Sequence, residues 1–144
     1  MSNLGRMSRP LTHALAASCA LLGLGLAASG CADASAQSVV EVHTADLACA
    51  DAAPDADGSW QSAPLPPLAS GCTWLRFDGT TSYVIDHPLG RAPREVAVYL
   101  SFDESGAPAS LAAGDEALIQ AVDDTTLTLR NATHQRFFAR VLLR

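Results

Sequence analysis

The sequence predicts an all-β fold, a small β-sandwich of jelly-roll-like or Greek-key type, and two observations carry that expectation. From Cys72 onward apolar and polar residues alternate with period two, the spacing that places every second side chain on one face of a strand. Turn-forming residues at Asp78-Gly79, Pro88-Leu89-Gly90, Ser105-Gly106 and Asp123-Asp124 cut the alternation into short runs, as successive strands of an all-β domain require. A third observation sets the N-terminal half apart. Between Ala32 and Leu75 lie six acidic residues, no lysine or arginine, and Pro54, Pro64, Pro66 and Pro67, so that stretch should be extended and loop-rich.

The chain begins with Arg6 and Arg9 and no acidic residue through His13, followed by the apolar run ALAASCALLGLGLAA from Ala14 to Ala28. That run is well short of the roughly 20 residues that span a bilayer core, and it ends in Ala28-Ser29-Gly30-Cys31. Residues 1–31 resemble the signal of bacterial lipoproteins, with a lipobox closing on the cysteine. The resemblance implies that residues 1–31 act as a signal ending at Cys31, and that Cys31 carries acyl chains such as palmitate and holds the protein to a membrane. At about 0.8 kcal/mol per buried methylene, one chain binds reversibly and several hold firmly. Ala32, not aspartate, follows the cysteine, and by the family's sorting rule this points to the outer membrane of the cell envelope. A competing reading is an ordinary secretory signal cut near Ala34 or Ala36.

Removing the signal leaves 113 of the 144 residues, enough for a tether over 32–38 and a single β-rich domain over 39–144. This part holds all 15 acidic residues but only seven of the nine basic ones, a net charge of −8, which argues against a nucleic-acid partner. Of the four cysteines, Cys19 leaves with the signal and Cys31 is acylated, so Cys49 and Cys72 remain. In an oxidising compartment such a pair is expected to form a disulfide. Closing that loop contributes about 3 kcal/mol by restricting the unfolded chain, and it would pin the proline-rich stretch to the domain. A redox-active pair would call for Cys-x-x-Cys spacing, which the two do not have.

Val39 to His43 is the first expected strand. Thr73, Leu75 and Phe77 share a face before Asp78-Gly79, and Tyr83 and Ile85 share one before the turn His87-Pro88-Leu89-Gly90. Val96, Val98, Leu100 and Phe102 form an inward stripe, with Glu95, Ala97 and Tyr99 pointing the other way. Ala117 to Val122 and Thr126 to Arg130 read as a hairpin around Asp123-Asp124, residues that tolerate the left-handed conformations of hairpin turns. Ser110 to Gln120, with Asp115 and Glu116, offers a short helix as the competing reading. Phe137, Ala139, Val141 and Leu143 then alternate with Phe138, Arg140, Leu142 and Arg144. The order of strand, His87-Pro88-Leu89-Gly90, Pro93 and the Val96 stripe, continuing through VDDTTLTLRN and FFARVLL, resembles small β-sandwich modules of bacteriophage tail and fibre proteins over residues 83–144. That resemblance implies a structural or binding role with a protein or glycan partner and carries no catalytic residue with it.

Chemistry-bearing motifs are sparse. The sequence has no Gly-x-Ser-x-Gly, Ser-x-x-Lys, His-Glu-x-x-His or phosphate-binding glycine loop, and no cofactor is expected. His43, His87 and His134 with Asp86 are the candidates for a metal, but they lack ligand spacing. Asp51, Asp55 and Asp57 with Gly58 lack the remaining ligands of a calcium loop. Asn131-Ala132-Thr133 is expected to form a turn. For a binding surface the sequence offers Trp60, whose alternative role is to cap the core, and Arg136 and Arg140, which recur on one face of the last strand and would otherwise pair with Asp103, Glu104 or the acidic N-terminal half. The expected function is therefore an envelope-anchored binding or structural lipoprotein. The alternative is a small hydrolase or metal-dependent enzyme without a recognisable motif.

Overall fold

A computed structural model describes residues 37–65 and 71–144. The signal with Cys31, most of the tether, and Pro66 and Pro67 lie outside the described residues. Among the described residues there are nine strands, besides two 3-10 turns: β1 (Ser38–Val42), β2 (Trp60–Gln61), β3 (Leu75–Phe77), β4 (Thr81–Asp86), β5 (Val96–Ser101), β6 (Ser110–Leu111), β7 (Leu118–Val122), β8 (Thr126–Asn131) and β9 (Phe137–Leu143). They form two sheets, one of four strands in the order β1-β4-β8-β7 and one of five in the order β2-β9-β5-β6, with β3 also paired to β9. The fold is all-β. The strand expected at Val39 begins one residue earlier and releases His43, so Ser38 belongs to β1 and not to the tether; β1 runs parallel to β4, from Ser38 opposite Thr81 to Val42 opposite Ile85.

The period-two alternation sorts side chains as the sequence predicts. Tyr83 and Ile85 of β4 and Leu127 and Leu129 of β8 are buried in one sheet; Val98 and Leu100 of β5 and Phe137, Ala139, Val141 and Leu143 of β9 are buried in the other, and all belong to one apolar cluster. Full burial of such a side chain contributes about 1.5–3 kcal/mol, so this cluster is the main stabilising element. Phe102 departs from the stripe. Strand β5 ends at Ser101, and Phe102 stands 73% exposed, because the tight turn closed by Gly106 N–H on Asp103 O (2.9 Å) carries the chain away from the sheet.

Ser110 to Gln120 is neither one helix nor one strand. Two residues form β6 against Tyr99 and Leu100, Gly114–Glu116 make a single 3-10 turn, and β7 then pairs with β8 through a bulge between Ile119 and Ala121. The hairpin is the expected one, but its turn chemistry is not: neither aspartate takes positive φ, which among non-glycine described residues only Thr80 adopts. The Asp123 carboxylate instead accepts hydrogen bonds from the backbone of Thr125 (2.8 Å) and Thr126 (2.7 Å), and these bonds hold its pKa down at about 2.

The five-stranded sheet is sealed along its β9 side. Short strand β3 covers Phe137 to Ala139, Ser62 meets Val141 through its backbone N–H and its hydroxyl, and β2 covers Leu142 and Leu143. A disulfide joins Cys49 to Cys72, with Cα atoms 5.6 Å apart, and closes the segment that supplies β2. Within it, Gly58 at φ +76° permits the turn ahead of β2, and Asp57 caps that turn through the Ser59 hydroxyl at 2.6 Å. Asp51, Asp55 and Asp57 thus belong to a loop that closes on its own backbone.

Candidate functional site

The three residues that the sequence offers for a binding surface are not brought together on one. Trp60 is 0% exposed; β2 carries it into the core, where its indole N–H donates to Asp51 O at 2.7 Å. This corrects its placement on a surface and bears out the other reading, that it packs into the core. Arg140 is corrected too, being only 3% exposed. It lies on the outer face of β9, but the disulfide-closed segment folds over it: Nε donates to Ala63 O and Nη2 to Gln61 Oε1, both at 2.6 Å, and the guanidinium lies 5.2 Å from the Tyr99 ring centroid. Burial presses its pKa below the ordinary arginine value. A buried arginine bonding Gln61 of β2 and Ala63 just beyond it clasps the disulfide-closed segment to the sheet.

Arg136 is exposed, but its partner is Asp78, not Asp103 or Glu104. The Asp78 carboxylate accepts from Arg136 Nε at 2.7 Å and pairs with Arg76 Nε at 2.9 Å. Partial burial disfavours its charge, yet the two arginine hydrogen bonds outweigh this and leave its pKa below the usual carboxylate value. Arg144 faces Glu95 at 3.9 Å. Asp103 and Glu104 are thus not the partners of these arginines, whereas the N-terminal half does meet Arg140, through Ala63 and Gln61.

Of the histidines, His43 and Asp86 do meet, with Nδ1 and Oδ2 2.7 Å apart, and that hydrogen bond raises the His43 pKa. The pair stands in solvent, with side chains 62% and 45% exposed. His87 is buried, and burial lowers its pKa, opposed by the nearby backbone of Asp123 and Thr126. His134 belongs elsewhere, its backbone packed so closely on Gly79 that a Cβ there would fall 2.7 Å from His134 C. Among the described residues no three histidine, cysteine or acidic side chains gather as a metal site. Asn131 is wholly buried and holds its turn through Phe77 O, Gln135 O and the Thr133 hydroxyl.

Exposed apolar side chains occur singly at Leu65 and as a pair at Val39 and Val40 on β1, and in greater number in a different region. Strands β6 and β7 are the edges of their respective sheets, and residues 112–117 are all that separates them. Around them Phe102, Leu111, Leu118, Ile119 and Val122 are exposed. By register Ile119 and Val122 sit opposite Leu129 and Leu127, on the inner face, yet remain 50% and 40% exposed because the five-stranded sheet does not reach over them. Next to β6 a groove of about 190 Å³ is lined by Leu100, Phe102, Pro108, Ser110 and Phe137, with Glu116 as its charged residue among the described ones. Phe102 leans on Phe137 with ring centroids 5.3 Å apart.

The signal that marks this groove in the sequence is Phe102, the last member of the Val96 stripe, set directly before the turn residues Asp103-Glu104-Ser105-Gly106. An aromatic side chain at the first residue beyond a strand is not held to the strand's inner face. Compared with known proteins, the chain matches no family description, no curated protein and no solved structure.

Proposed function

We propose that the chain is an exported lipoprotein, acylated at Cys31 and anchored in the cell envelope at the outer membrane, whose domain over 38–144 is a small β-sandwich that binds a protein partner. The sandwich reading, of jelly-roll-like or Greek-key type, is supported by the shared core of the two sheets and by the chain's repeated crossing between them, at 43–59, 78–80, 87–95, 112–117 and 132–136. The binding reading rests on one observation, the exposed apolar side chains and groove on the β6 and β7 side. Soluble proteins seldom leave such surface uncovered without an interaction to use it. A protein partner is favoured over a glycan because both tryptophans are buried and the exposed side chains around Phe102 are mostly aliphatic, a surface suited to apolar side chains more than to hydroxyl groups.

Two measurements test this reading. Intact mass of the mature protein should show a lipid adduct on Cys31, lost in Cys31→Ser; cleavage beyond Cys31 without lipid would refute the anchor. A photo-crosslinking residue at position 102 should give a discrete protein adduct in native envelope, whereas one at position 94, at the other end of β5, should not. Equal labelling from both positions would refute the binding surface.

A further inference from the structure

The open edge of β7 has the chemistry of a strand acceptor. Half of an edge strand's backbone N–H and C=O groups face away from its one neighbour, and among the described residues nothing pairs with that side of β7. All five of its residues, Leu118-Ile119-Gln120-Ala121-Val122, are exposed and uncharged. Proteins usually blunt such an edge with a lysine, a proline or a very short strand, and β6 is short in this way. On β7 the protection consists of the bulge between Ile119 and Ala121, which interrupts the edge once, and of charges at the two ends. Asp115 and Glu116 precede the strand, Asp123 and Asp124 follow it, and no basic residue occurs anywhere in 112–127.

The acidic ends decide what the edge accepts. A second copy of this chain is disfavoured in either orientation: antiparallel pairing sets Asp115 and Glu116 against Asp123 and Asp124, and parallel pairing sets each acidic pair beside its own copy, so like charges oppose one another both ways. We infer that β7 takes up an extended segment of a partner protein as an added strand, and that this segment is apolar at its centre and carries lysine or arginine at both ends. Backbone hydrogen bonds would hold the segment, the exposed Ile119 and Val122 would take its alternate apolar side chains, and the acidic ends would set its register. This inference rests on the proposed binding function and names its partner's chemistry.

The test uses the full-length protein and a fluorescent peptide with two lysines, a six-residue alternation of threonine and valine, and two more lysines. Saturable binding is expected, about tenfold tighter than for the same peptide with glutamates in place of lysines, and the difference should shrink as ionic strength passes about 0.15 M, where charges screen within about 8 Å. Methylating alternate backbone nitrogens along one edge of the peptide should abolish binding, and methylating the other edge should not. The outward amides of β7 should exchange quickly in the free protein and slowly with the lysine peptide. In Asp115→Asn/Glu116→Gln/Asp124→Asn, which spares the turn-capping Asp123, the preference for lysine should fall about tenfold. Equal binding of the lysine and glutamate peptides, indifference to methylation, or β7 amides already protected in the free protein would overturn the inference. A crosslink at position 102 that survives excess lysine peptide would overturn it while leaving the binding function standing.

Discussion

The two sheets share one core but treat their borders differently. In the five-stranded sheet β9 is bordered by β3, Ser62 and β2, the other edge is the two-residue β6, and the outer face is clasped by Arg140 under a disulfide-closed segment. The four-stranded sheet ends in two five-residue edges, β1 and β7. Its outer face carries only a thin polar strap: Ser82 Oγ bonds Gln120 Oε1 at 2.8 Å and also takes Gln37 Nε2. The core packing that stabilises a domain thus leaves the treatment of its borders open, and here one sheet is finished as scaffold while the other keeps backbone and apolar side chains accessible.

The same substitution placed on each sheet gives the largest expected contrast. Val98→Asp would bury a carboxylate at a position 5% exposed and should cost several kcal/mol, most of a small domain's stability of about 5–15 kcal/mol. Ile119→Asp, on the inner face by register but half exposed, should cost less than about 1 kcal/mol. Urea melts measure both, and equal costs would mean that the β7 side is covered and the contrast false. Glu95→Ala, on the exposed side of the same stripe, is the control and should be nearly silent.

Next in size is Cys49→Ser/Cys72→Ser, which should remove about 3 kcal/mol. If the disulfide-closed segment is what seals the five-stranded sheet, Trp60 and Trp74 should become accessible to iodide quenching at the same time. Loss of stability with both indoles still protected would show that Arg140 and β2 hold the seal without it.

Acid should act on the four-stranded sheet first. His87 is buried next to the 123–126 turn, its backbone N–H bonded to Thr125 O at 2.8 Å, with Asp86 and Asp123 as nearby charges. Its folded pKa lies below the unfolded value of about 6.5, so the unfolded chain binds the proton first and stability declines as pH falls below about 6.5. His87→Phe should flatten that decline in Tm, whose slope should be that of a single proton. His43, held up by Asp86, has the opposite sign, contributing below about 6.5 and less as pH rises through its raised value, so His43→Ala should steepen the decline. An unchanged slope in His87→Phe would assign the acid sensitivity elsewhere.

The smallest effect is that of Asp123→Ala. The depressed Asp123 pKa of about 2 means that its contribution is complete above the ordinary carboxylate value and is lost as pH falls towards 2. The variant should melt slightly below wild type at pH 7 and together with it below pH about 2. A constant difference across that range would remove the carboxylate from the account of the turn.

Much of the architecture was legible because period two writes burial directly into sequence. Tyr83 and Ile85, Val98 and Leu100, and Phe137 to Leu143 all face as their parity predicts. Strands β2 and β6 have two residues each and therefore no period, and the parallel pairing of β1 with β4 is a long-range choice that no local pattern encodes. The site residues were harder to read for a related reason. Trp60 and Arg140 are ambiguous one at a time, since each either faces solvent or is covered, and what covers Arg140 is Ala63 and Gln61, far away in sequence.

The parallel pairing of β1 with β4 also sets how the domain bears a mechanical load. Any pull from the N-terminal side reaches the fold first at Ser38, the start of a five-rung ladder in register from Thr81 to Ile85. A force directed along the strand shears all five rungs at once and shares its work among them. A force directed across it meets one rung at a time, starting at Ser38, and peels the strand away like a zip. The direction of tension, more than its size, decides whether β1 stays attached.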